Sequence, residues 1–197
     1  IGIKSQDREL LVPVKTQDRL KVENILKENG FGDNEDFVVI HPAASCPSKR
    51  WPSQRFALVA DEIVNKLHKK IVIVASVNGK GCGQDIKSAE KVVLDLSGNL
   101  SIGELAALLQ KAKLLISNDS GPVHIAVALK VPVVAIGRKQ PGLSFKRWGP
   151  IGKNDIILHK DVGCLECLAH NCKVGFKCLM AIEPGEVIEA ARKLLRL

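Results

Sequence analysis

Tyrosine is absent from this chain, and the other aromatics amount to five Phe and two Trp among 197 residues. Surfaces that hold single-stranded nucleic acid stack bases on aromatic rings, so this scarcity argues against such a stacking surface, and no nucleic-acid partner is expected on the leading reading below. No apolar run approaches the ~20 residues that a membrane-spanning helix requires. No block of five or six like charges marks an interaction tail. Residues 1–8 (IGIKSQDR) are mixed and polar, unlike the apolar core of a signal peptide. The chain also begins without Met, which suggests a piece of a longer protein. Internal repeats and low-complexity tracts are missing.

What remains has the make-up of a globular domain, with 46% hydrophobic and 25% charged residues. A chain of this length buries roughly 70% of its unfolded surface and needs no staples to fold. Twenty-nine Lys and Arg stand against 21 Asp and Glu, a net charge of +8. Such an excess favours an anionic partner: a phosphate ligand, a nucleic acid or an acidic membrane surface. Four of the six cysteines, Cys164, Cys167, Cys172 and Cys178, fall within fifteen residues as C-x2-C-x4-C-x5-C. Four thiols this close suit a structural zinc ion. The pairs of zinc ribbons usually sit farther apart, so disulfides or packed free thiols stand as alternatives. Cys46 and Cys82 stand alone.

Hydrophobic periodicity alternates between strand and helix. Residues 1–15 read as a connector. Residues 16–30 read as a helix, with Leu20, Ile25 and Leu26 as its stripe, Thr16 as its cap and Gly30 as its stop. Short β-branched runs follow at FVVIH (37–41), IVIVA (71–75), VVLDL (92–96), KLLIS (113–117), VPVVAI (131–136) and DIILH (155–159). Between them lie helical patterns after Pro52, after Ser101 and after Pro122, and Pro184 opens a last one. Ser101 and Glu104 form an S-x-x-E capping box, with Ile102, Leu105, Leu108 and Leu109 as that helix's apolar face. Short crossovers of this kind demand parallel pairing, so the fold class is α/β, a Rossmann-like doubly wound parallel sheet.

Ligands of open parallel sheets sit at the carboxyl ends of the strands. Three loops therefore matter. After KLLIS the chain reads Asn118-Asp119-Ser120-Gly121-Pro122-Val123-His124. A helix starting there offers a phosphate unpaired N–H groups and a partial positive charge. Gly121 permits close approach, Ser120 supplies a hydroxyl, and His124 faces the same space or packs in the core. Asp119 either caps the helix or accepts from a sugar or base. After FVVIH come Ser45, Ser48, Lys49 and Arg50, and a lysine at a strand's mouth is a point charge for a diphosphate. The glycine-rich loop at 77–85 lacks G-x-G-x-x-G and G-K-[ST], and reads as a flexible connection.

The segments HPAASCPSKRWPSQRFALVADEI (41–63), LSIGELAALLQKAKLLISNDSGPVHIAVALKVPVVAI (100–136), RWGPIG (147–152) and CLMAIEPGEVIEA (178–190) resemble the C-terminal half of glycosyltransferase family 9, the ADP-heptose:lipopolysaccharide heptosyltransferases. The resemblance implies a GT-B enzyme of two Rossmann-like domains. Residues 1–36 would be the interdomain connector and leading helix. Residues 37–197 would be the nucleotide-sugar donor-binding domain, with a Cys-rich segment at 164–178. It further implies inverting, metal-independent transfer of heptose from an ADP-sugar donor to the lipopolysaccharide core. The acceptor and the general base would belong to a domain outside this chain, so the chain alone would bind donor without turnover. By the same resemblance Lys49 and Asp119 serve catalysis, while Ser45, Lys49, Asp119, Ser120, Gly121 and His124 bind the donor. No cofactor is implied for transfer. The implied location is cytoplasmic, with peripheral contact at the inner membrane face.

Two departures leave the donor sugar open. The loop SVNGKGCGQD replaces the family's G-G-P-type turn and the acidic residues that reach the ribose. GRKQPGLSFK replaces its F-G-P-T-like segment and is about three residues longer. Two other readings stand beside this one: a different GT-B transferase or UDP-sugar epimerase, and a zinc-bearing nucleic-acid-binding module.

Overall fold

The computed structural model describes residues 10–79, 81, 83–86, 92–137, 149, 152, 154–164 and 171–197. Six strands form one sheet: β1 (Phe37–His41), β2 (Lys70–Ile73), β3 (Val93–Asp95), β4 (Leu114–Asn118), β5 (Val133–Ile136) and β6 (Asp155–Leu158). Their order is β3-β2-β1-β4-β5-β6, and every pairing is parallel. All five residues of β1 and of β4 are buried, which is why both read as unbroken apolar runs rather than alternating ones.

Helices cover both faces. On one side lie α1 (Thr16–Glu28), α3 (Ile102–Lys111) and α4 (Gly121–Ala128). They bury Val22, Leu26, Leu108, Leu109, Val123 and Ala126 against Val39, Val72, Leu115 and Val133. On the other side α2 (Ser53–Asn65) and, after the short α5 (Lys177–Met180), α6 (Pro184–Leu195) pack on Val38, Ile40, Ile71, Leu114 and Ile116. Consecutive strand residues thus feed opposite cores, as the two-residue repeat of a pleated strand requires. Among the described residues no helix is long and apolar enough to cross a membrane.

The capping box that opens α3 is fully formed. Ser101 Oγ accepts from the Glu104 N–H at 3.2 Å, and Glu104 accepts in return from the Ser101 N–H at 2.7 Å. Lys21, 2.6 Å from Glu104, holds that carboxyl below its ordinary range and ties α1 to α3. Ser101→Ala should lower the unfolding free energy by about 1 kcal/mol. An unchanged urea midpoint would mean that the cap contributes nothing.

Several local expectations need correction. Thr16 is the first residue of α1 and does not cap it; Lys15 holds that place, with no side-chain cap bond. Leu20 is 56% exposed, because it lies about 200° round the helix from Val22. Ile102, at the first position of α3, is 76% exposed and stands at the rim of a cleft rather than in the core. Gly30 does end the first helix, with φ at +78°. The glycine-rich stretch after β2 includes two short 3-10 turns, Val77–Gly79 and Gln84–Ile86.

Candidate functional site

The order of the strands reverses between β1 and β4. From β1 the sheet grows outward through β2 and β3, and the chain then returns to lay β4 along the other side of β1. The carboxyl ends of β1 and β4 therefore lie side by side, with His41 opposite Ser117 in the register. The loops leaving them must diverge, and a crevice opens where they part. Here it is a cleft of about 850 Å³, within the range of small-molecule sites. Two further hollows among the described residues, of about 290 and 500 Å³, lie at the opposite ends of the strands, around Asp36 and Lys113.

Ser45, Lys49, Asp119, Ser120, Gly121 and His124 all line this one cleft, although they come from loops some 70 residues apart in the chain. A network behind the loops fixes the arrangement. Asn118, fully buried at the end of β4, accepts from the Trp51 N–H at 3.0 Å and donates Nδ2–H to the Pro42 carbonyl at 2.7 Å. One amide thus pins both ends of the first loop. Trp51, 1% exposed, packs edge-on against Phe56 with ring centroids 4.9 Å apart. Its indole N–H donates to the Ile182 carbonyl at 3.0 Å. Arg55 reaches the same carbonyl at 2.5 Å and that of Met180 at 2.9 Å. Between these anchors, Lys49 closes a 3-10 turn, Pro47–Lys49, and points into the cleft.

Lys49 Nζ lies 3.2 Å from Asp119 Oδ2 and donates to the Asp119 carbonyl at 3.3 Å. Asp119 therefore balances the lysine and does not cap α4. The cap position belongs to Ser120, whose hydroxyl makes no bond to the first-turn N–H groups. A Cβ built on Gly121 would meet no atom within 4 Å. What Gly121 provides is open space in front of the helix end, not a backbone conformation closed to other residues. Ser45 stands exposed at the rim. Arg50 Nε donates to the Ala44 carbonyl at 2.8 Å, which holds its guanidinium against the same wall.

The third wall comes from the glycine loop. A Cβ on Gly79 would fall 2.8 Å from the Ala43 Cβ and 3.2 Å from that of Ala75, so only glycine lets this wall close against the first. The fourth is apolar: Leu100, Ile102, Leu105 and Ile125. One side therefore carries charge and hydroxyls and the other is greasy, which suits an amphiphilic ligand with a phosphate at one end.

Two organising residues were not marked by their sequence pattern. His41 reads as the last residue of a buried strand, yet it is 7% exposed and its Nδ1 lies 3.2 Å from both Ser117 Oγ and Ser120 Oγ. Burial pushes its imidazole down to about 4. Asn118 reads as a turn residue and is in fact the clasp between loops. The signal available for both was a polar side chain at the carboxyl end of an apolar strand.

The cysteine cluster falls partly outside the described residues, which omit Cys167 and His170. Cys164 is exposed, and Cys172 is half-buried with its sulfur accepting from the Phe176 N–H at 3.3 Å. Among the described residues no three His, Cys, Asp or Glu side chains converge as metal ligands would. Lys80, Cys82 and the long loop at 138–148 also lie outside them.

Comparison with known proteins places the chain. It is 29% identical over 202 residues to lipooligosaccharide heptosyltransferase 2 of Campylobacter jejuni, covering 100% of this chain and 60% of that protein. The chain thus spans little more than half the length of its curated relatives. A glycosyl transferase family 9 structure from Veillonella parvula superposes with a TM-score of 0.81 at 26% identity, over 99% of this chain and 56% of that one. The ADP-heptose lps heptosyltransferase II of E. coli shares the fold, with a TM-score of 0.74 at 21% identity, over 94% and 53% of the two chains. The sequence model of glycosyltransferase family 9 (heptosyltransferase) matches residues 11–177. That match runs through both cleft loops, and the chain belongs to this family.

Proposed function

We propose that this chain is the donor-binding half of an inverting heptosyltransferase that takes ADP-heptose and glycosylates the lipopolysaccharide inner core. One observation carries the reading: Lys49, the amino end of α4 and the open space before Gly121 face a single cleft at the reversal of the sheet. A diphosphate placed there meets a helix N-terminus and a lysine together. The names of the relatives supply the sugar and the nucleotide.

In this reading the acceptor hydroxyl attacks the anomeric carbon from the face opposite the nucleotide. The bond from that carbon to the phosphate oxygen breaks, and ADP leaves with the electron pair. Negative charge grows on the departing diphosphate, and groups already aimed at it stabilise the transition state more than the ground state. Lys49 supplies that charge after exchanging Asp119 for phosphate, which frees Asp119 to accept from a sugar hydroxyl. The base that deprotonates the acceptor belongs, in this reading, to the part of the relatives that this chain does not span. The enzyme works in the cytoplasm against the anionic inner membrane face, where a net charge of +8 favours approach.

Calorimetric titration of the chain with ADP, UDP and GDP tests this. ADP should bind best, and Lys49→Ala should weaken it about tenfold, the lower end of what a charge-assisted hydrogen bond contributes. No binding of any nucleoside diphosphate, or an unchanged affinity in Lys49→Ala, would sink the reading. A preference for UDP would point to a different sugar nucleotide. Transfer by this chain alone would overturn the placement of the base.

A further inference from the structure

Serine at a helix N-cap ordinarily turns its oxygen to the N–H groups of the first turn. Ser120 does not. Its hydroxyl points back under the turn, 3.0 Å from the Asn118 carbonyl, 3.2 Å from Ser117 Oγ and 3.2 Å from His41 Nδ1. Three side-chain groups and the Asn118 carbonyl meet in this knot, with a hydrogen bond between the His41 ring and its own backbone beside them, so the protons in it can be followed.

Ser117 has one proton and one short contact, to the Asn118 carbonyl at 2.7 Å. With that proton placed, Ser117 Oγ can only accept from His41 and Ser120. The hydroxyl proton of Ser120 then has three takers: the Asn118 carbonyl, Ser117 Oγ, or His41 Nδ1 if that nitrogen is bare. The choice rests on the histidine. A neutral imidazole carries its proton on one nitrogen, and the bond made by the other decides which. With the proton on Nε2, Nδ1 accepts and captures the Ser120 proton. With the proton on Nδ1, the ring donates to the serine oxygens, and the Ser120 proton goes to the Asn118 carbonyl at 3.0 Å, the nearer of its two remaining acceptors, Ser117 Oγ lying at 3.2 Å. That carbonyl already accepts from Ser117, so the Ser120 proton can leave it without orphaning a buried acceptor.

We propose that His41 is a positioning residue for the anion site. Its Nδ1–H, donated to the paired hydroxyls of Ser117 and Ser120, holds the Ser120 oxygen off the end of α4 and leaves the Ser120 proton for an incoming phosphate. The amino end of the helix stays uncapped by its own side chain and open to the ligand. The serine keeps a donor that can turn from the Asn118 carbonyl to a phosphate oxygen. Burial at 7% exposure keeps the ring neutral, as this division of protons needs. The ligand half of the inference rests on the donor-binding reading above; the proton on Nδ1 does not.

Two measurements separate them. Nitrogen-15 spectra of histidine-labelled chain, without ligand, report which ring nitrogen of His41 carries the proton. Protonated Nδ1 and bare Nε2 are expected; the reverse pattern overturns the proposal whatever the chain binds. ADP titration follows. Asn places an amide nitrogen where Nδ1 stands, so His41→Asn should keep affinity within about twofold. His41→Gln, whose amide reaches the Nε2 position, and His41→Leu should each lose about fivefold, the size of one ordinary hydrogen bond. In a Ser120→Ala background the same His41 changes should have no further effect, since the histidine acts through that hydroxyl. Equal affinity of His41→Leu and the unaltered chain, or an undiminished His41 effect without Ser120, overturns it. If the unaltered chain binds no nucleoside diphosphate, the donor reading fails and the spectrum alone decides the placement of the proton.

Discussion

Asn118→Ala should cost the fold about 4 kcal/mol, because two buried partners lose their bond at once and each orphaned group carries a penalty of roughly 1–3 kcal/mol. Those partners are the Trp51 N–H and the Pro42 carbonyl, and the Asn118 side chain serves both from a fully buried position. Urea denaturation followed by tryptophan fluorescence measures the loss, since Trp51 sits on the broken clasp. The midpoint should fall with the slope unchanged. ADP affinity should fall in the variant as well, because the turn that carries Lys49 lies between the two released anchors. A loss below about 1 kcal/mol would mean that water or another group replaces the amide.

Stability should also fall by about 3 kcal/mol between pH 7 and pH 4 on account of His41 alone. An unfolded imidazole titrates near 6.5, and burial pushes that of His41 down to about 4. At pH 7 the folded imidazole is neutral and the unfolded one mostly so, and the group contributes little. As the pH drops below 6.5 the unfolded chain takes up a proton that the folded chain refuses, so the balance shifts toward unfolding. Below about pH 4 the folded state takes the proton too, and the loss levels off. The lysine-paired carboxyls of Glu35, Asp36, Glu104 and Glu186 are held below their ordinary range. The stability they lend is present at neutral pH and is lost as the pH falls through those lowered values, beneath most of the histidine window. Unfolding free energies from pH 7.5 to 4.5, compared with those of His41→Asn, isolate the effect. Equal slopes in the two proteins would refute it.

The fold was largely legible in the amino-acid pattern. Buried parallel strands are short β-branched runs, and FVVIH, KLLIS and VPVVAI could be little else; each lies within a residue or two of its observed span. Helix starts were legible where chemistry marks them, at Ser101 with Glu104 and at Pro122 and Pro184. They were misread where it does not, at Thr16, because α1 begins without any side-chain cap. Leu20 was misread because an apolar side chain does not itself tell which side of a helix faces the sheet, and Ile102 because the first position of α3 lies at the cleft rim. The loops of the cleft were legible from strand-end logic. Their wiring was not: Asn118 reaching Pro42 and Trp51, and His41 reaching Ser120, are contacts between positions about 70 to 80 apart in the chain. Only the return of β4 to the flank of β1 creates them.

That return also sets when the cleft comes into being during folding. β1, α2 and β2 are neighbours along the chain and can associate early, whereas β4 must close a loop of about 70 residues before His41 meets Ser117. Closing so long a loop is slow to be rewarded, and the side-chain contacts of the cleft can form only once it is closed. A nucleotide that grips both loops would then leave the folding rate nearly untouched and act almost wholly by delaying unfolding. In this molecule, ligand would lengthen the life of the folded chain without hastening its birth.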